Sequence, residues 1–116
     1  MPKTTPEQFE DFKRSFLEWR KKLGLTEWRI FFEIANLKNK YAQIYYDTEK
    51  AGATVRFAKQ LENDEMKNCD PKESGKHECL HLLLADLYTL GENREFSQRE
   101  FNTAEEKIVR RLEGVL

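Results

Sequence analysis

The sequence predicts an α+β domain: an N-terminal helix, a small antiparallel sheet of about three strands, a central helix carrying both histidines, and a C-terminal helix. Three observations predict it. Apolar residues recur every three or four positions from Phe9 to Leu23, alternate one by one between Trp28 and Phe57, and return to helical spacing after Pro71. At 116 residues, 39% hydrophobic and 35% charged, the chain reads as a single domain spanning 1–116 with one modest core.

The first helix is well punctuated. Thr5 is its cap, Pro6 suits the first helical position, and Gln8 completes a capping box. Phe9, Phe12, Phe16, Trp19 and Leu23 make one apolar face, and Gly24 is the stop. The basic run Arg20, Lys21, Lys22 falls at the helix C-terminus, where cations favour the dipole.

Three strands follow. Trp28, Ile30, Phe32 and Ile34 alternate with polar neighbours, then Ala42, Ile44 and Tyr46, then Ala53, Val55 and Phe57. The short connection DTEKAG predicts a hairpin between the second and third. One sheet face is expected to lie under the helices.

Asp70, Pro71 and Glu73 launch the next helix, which is expected to run to about Leu90 and end at Gly91. Leu80, Leu82, Leu83, Leu84, Leu87 and Leu90 lie nearly all round it, as on a central buried helix. The last helix opens at Ser97 with Glu100, or at Thr103 with Glu106, and ends near Gly114.

Twenty basic against 21 acidic residues give a formal charge of -1, which points away from nucleic acid or acidic lipid as partner. No basic stripe with interleaved aromatics appears either. Two cysteines ten apart do not form a secreted disulfide framework, and the opening residues MPKTTPEQFEDFKR lack the apolar run of a signal peptide. The expectation is a cytoplasmic protein with reduced thiols and no membrane span.

The chemistry is concentrated in KHECLHLLLADLY. His77, Glu78 and His81 spell H-E-x-x-H, and the chain has no other histidine. Residues four apart on a helix lie about 40° apart around its axis, so both imidazoles point the same way and can hold one ion. Glu78, about 100° from His77, can reach a water on that ion and take its proton as it attacks a carbonyl. Chance places two histidines and a glutamate in this pattern about once in four hundred such chains, which favours a zinc site over two core histidines.

Catalytic zinc takes three protein ligands and keeps one open position. With no third histidine, the third ligand is a carboxylate or Cys69. Glu105 is the best candidate: on the last helix it falls within about 60° of Ile108, on the side of Phe101, Ala104, Leu112 and Val115. Its neighbour Glu106 points away. A Thr103 cap would instead leave Glu105 at an exposed helix start. Cys79 is expected to be a small core residue, Asp86 an exposed or structural carboxylate, and Tyr88 a supporting or core residue.

With EWRIFFEIANL, YAQIYYDTEKAGATVRF, HECLHLLLADL and AEEKIVRRLEGVL in that order, residues 27 to 116 resemble the small bacterial and phage zincin-like metallopeptidases. Their layout is related to minimal gluzincins and SprT-like proteins. The resemblance implies Zn2+ on His77 and His81, Glu78 as general base, and Glu105 as third ligand. It implies a peptide or protein substrate docked along a sheet edge at Thr54–Phe57, and a bacterial or host cytoplasm. The chain departs from larger members in lacking a recognisable substrate domain and an assigned electrophile. The competing expectation is a non-catalytic phage or mobile-element interaction protein that keeps zinc as a staple.

Overall fold

A computed structural model describes residues 3–60, 70–92 and 95–116. The element order is α1 (Pro6–Lys22), β1 (Arg29–Ala35), β2 (Ala42–Asp47), β3 (Gly52–Ala58), α2 (Pro71–Leu83), α3 (Ala85–Glu92) and α4 (Gln98–Glu113). The α+β layout stands, with a helix first and a helix last. None of the helices among the described residues is long and apolar enough to cross a membrane.

Local signals hold at both outer helices. Thr5 Oγ1 accepts from the Gln8 amide while the Gln8 side chain returns to the Thr5 amide, and Leu23 caps the end before Gly24 at φ 69°. Ser97 with Glu100 opens α4 through the same reciprocal box, so Thr103 is an interior residue. Its hydroxyl bonds back to the Arg99 carbonyl.

The sheet is mixed rather than antiparallel. Strand order is β1-β3-β2; the hairpin makes β2 antiparallel to β3, but β1 runs parallel to β3 on its other side. Alternation specifies which face of a strand is apolar and is silent on strand order. β3 takes the centre because its inward side chains, Ala53, Val55 and Phe57, are all buried and its outward ones are short or paired. On the outer face Arg56 pairs with Glu33 of β1 and lies over the Tyr45 ring of β2 at 4.9 Å.

The core fills the space between the inner sheet face, α1 and α2. Phe12 and Phe57 meet at 4.7 Å between ring centroids, and Phe16 meets Phe32 edge-on at 5.5 Å. α1 and α2 approach closely because Gly75 has no side chain. A Cβ there would lie 2.6 Å from the Phe12 carbonyl oxygen. Ser15 Oγ donates to the Lys72 carbonyl across the same seam at 2.6 Å.

The expected single helix to Leu90 is two helices. Leu84 interrupts it with φ -92° and ψ 3°, and α3 continues beyond Gly91 to Glu92. Six leucines distributed round one axis have no common surface to bury against. The break lets α2 pack on α1 and β2 while α3 packs on α4. Leu82 and Leu83 are buried, whereas Leu84 is left 45% exposed.

Candidate metal centre

α2 presents the histidines because both of its ends and one flank are fixed. Asp70 caps it by accepting the Lys72 amide at 3.0 Å, Pro71 starts it, and Gly75 seats it against α1. The opposite flank faces β2. Between them runs an open cleft of about 1740 Å³, walled by Lys40 to Glu49 on one side and by His77, Glu78 and His81 on the other.

His77 and His81 converge. Their Nε2 atoms are 3.2 Å apart and the rings stand 80° to one another. Two nitrogens held at zinc distance with a tetrahedral angle between them lie about 3.3 Å apart, so the pair fits a shared ion. Without an ion, one ring donates to the other, the direction being set by tautomer.

Glu78 is 6% exposed yet lines the cleft, and it has no hydrogen-bond or ion-pair partner among the described residues. Burial pushes its carboxyl above the ordinary carboxylate value, with His81, His77 and Lys40 each pulling the other way. Lys40, at the entry to β2, is thus part of the site's electrostatics, although no motif marked it. The alternation that puts Ile44 and Tyr46 on the covered face was the signal for β2 as the facing wall.

The third ligand is not assembled as expected. Glu105 is exposed and is not among the residues lining the cleft. α4 buries Ala104 and half-buries Ile108 and Leu112, with Val115 half-buried just past its end, a narrow stripe with Glu105 on its flank. It docks on α3, so its flank does not reach the histidines. Among the described residues no group of three or more His, Cys, Asp or Glu side chains is placed to hold a metal. Cys69, the alternative ligand, lies outside the described residues.

The neighbouring assignments are clearer. Cys79 is fully buried in the core, and burial pushes its thiol up to about 12. Asp86 is a surface carboxylate 3.7 Å from Lys107. Tyr88 is not core: it is 59% exposed and lies on the cleft wall, edge-on to Tyr46.

Compared with family models, with curated proteins and with solved structures, the chain matches none.

Proposed function

We propose that the protein is a zinc-dependent peptidase whose His77 and His81 hold the metal and whose Glu78 is the general base. One observation carries this reading: two imidazole nitrogens 3.2 Å apart open onto the same cleft as a largely buried carboxylate, Glu78. A carboxylate raised by burial and set in a cleft beside two imidazoles is the kind of group that general-base chemistry uses.

Zinc, when bound, lowers the pKa of a coordinated water towards neutrality and polarises a carbonyl. The remaining work falls to the chain. Glu78, made more basic by burial, accepts the proton of the attacking water and returns it to the departing amine. Among the described residues β2 is an edge strand, paired only with β3, and its residues wall the cleft. An extended peptide added to that edge would gain backbone hydrogen bonds and lie across the histidines. This corrects the expected docking edge at Thr54–Phe57: those residues belong to the central strand, whose edges β1 and β2 already occupy.

The test uses protein purified without a polyhistidine tag, with metal content and cleavage of a mixed peptide library read together. Wild type and Glu78→Gln should each carry about one zinc, and His81→Ala should carry none. Only wild type should hydrolyse, because the amide of Gln cannot take the proton. Absence of zinc from wild type, or full activity in Glu78→Gln, refutes the proposal. Zinc without hydrolysis in wild type would favour the interaction protein.

A further inference from the structure

The sheet has one covered face and one bare one. α1 meets it on the inner side, through Phe12 against Phe57 and Phe16 against Phe32. Strand alternation sends Phe31, Thr54 and Tyr45 to the other side, where Phe31 is 60% exposed and Tyr45 55%.

The register of the two ladders sorts this outer face into rows. Phe31, Thr54 and Tyr45 are cross-strand neighbours and form the middle row. Arg29, Gly52 and Asp47 lie on one side of it, and Glu33, Arg56 and Gln43 on the other. Two basic and two acidic residues thus flank an aromatic row, and their charges cancel. A strongly charged partner gains nothing from such a face, so its fit depends on where the charges sit.

Two copies can meet face to face about a two-fold axis lying along the strands or across them. An axis along β3 sets Arg56 against Arg56 of the partner subunit, which like charges oppose. An axis along the middle row exchanges the flanking rows instead. Phe31 then meets Phe31 of the partner subunit, and Arg29 meets the partner's Glu33. Arg29 has no ion pair among the described residues, and Glu33 uses Oε1 for Arg56, which leaves its second oxygen for the partner. Arg56 meets the partner's Gly52, where it has room: nothing lies within 4 Å of a Cβ built at Gly52. Packed sheets cross at about 30°, which moves a residue about 8 Å from the axis by roughly 4 Å, within an arginine's reach.

We propose that the outer sheet face is a homodimer interface, with the two-fold axis along the Phe31–Thr54–Tyr45 row and Arg29 of each copy paired with Glu33 of the partner subunit. The face is its own complement in charge and in shape, and the pairing owes nothing to the peptidase reading. Three strands about 4.8 Å apart and about 20 Å long bury a total of about 1,000 Å², near the lower limit for specific association. The dimer is therefore reversible, with a Kd of about 10 µM.

Sedimentation equilibrium of the full chain from about 1 to 500 µM tests it, with EDTA present so that no shared metal contributes. The mass should rise from monomer to dimer and stop there, because a two-fold face closes on itself. Phe31→Thr, which keeps strand propensity, should weaken the dimer at least about tenfold, and Arg29→Glu, which opposes two acids, about tenfold. Asp47→Asn keeps an acceptor for the Glu49 amide and should stay within about threefold of wild type, since the axis sets Asp47 against the partner's Gln43. Melting of each variant at about 1 µM, where the chain is monomeric, verifies its fold. A monomer throughout, an assembly larger than a dimer, or association untouched by Phe31→Thr or Arg29→Glu overturns the interface. Asp47→Asn weakening the dimer as much as Arg29→Glu would mean the axis along β3, and overturns it too.

Discussion

Replacing Gly75 by alanine tests the seam that positions both histidines. By helix propensity alone the change should stabilise, since glycine in a helix interior costs about 1 kcal/mol relative to alanine. The packing reverses the sign. The new Cβ would meet the Phe12 carbonyl oxygen at 2.6 Å and the Phe16 nitrogen and Ser15 Cβ at 3.0 Å. Two of those atoms are backbone, so relief requires α1 and α2 to separate. Overpacking of this kind costs about 1–3 kcal/mol, and separation also strains the bond from Ser15 to Lys72, for about 1 kcal/mol more. The net expectation is a loss of about 2 kcal/mol, or a Tm lower by roughly 10 °C in a domain this small. Urea unfolding followed by fluorescence of Trp19 and Trp28 measures it. Gly91→Ala is the control, because nothing lies within 4 Å of a Cβ there. Equal or higher stability in Gly75→Ala would refute the close approach.

Burial should rank the phenylalanines sharply. Phe12→Ala removes a fully buried ring and should cost about 3–5 kcal/mol, while Phe31→Ala, at a site 60% exposed, should cost under about 1 kcal/mol by the same urea assay. Arg20 Nη2 donates to the Thr26 and Trp28 carbonyls at 3.1 and 2.8 Å, so Arg20→Met should destabilise by about 2 kcal/mol and speed hydrogen exchange in residues 24–28. Cys79, its thiol pushed up to about 12, should resist alkylation at pH 8 until the protein unfolds, as peptide mapping would show. The sign of the linked stability follows. The fold favours the neutral thiol, so its contribution is complete below the unfolded value of about 8.5 and declines as pH rises from there towards 12. Stability that rose across that window would contradict it.

What the sequence determined by itself was local. Thr5, Pro6 and Gln8 place the start of α1, and Ser97 with Glu100 places that of α4, because a cap is satisfied within a single turn. The alternation of Ala53, Val55 and Phe57 assigns their face, because the strand period is two. The convergence of His77 and His81 is legible for the same reason, four residues being one turn. Tertiary structure decided what depends on partners distant in the chain. No pattern in β1 says that it lies parallel to β3, which makes β3 central and leaves β1 and β2 as the outer strands of the sheet. Arg20 reads as a dipole cation, yet it is used to hold the turn into β1. Glu105 reads as inward on a helical wheel, but the wheel gives only an angle. Whether that angle faces a histidine depends on the break at Leu84, which sends α4 to α3 and leaves Glu105 exposed.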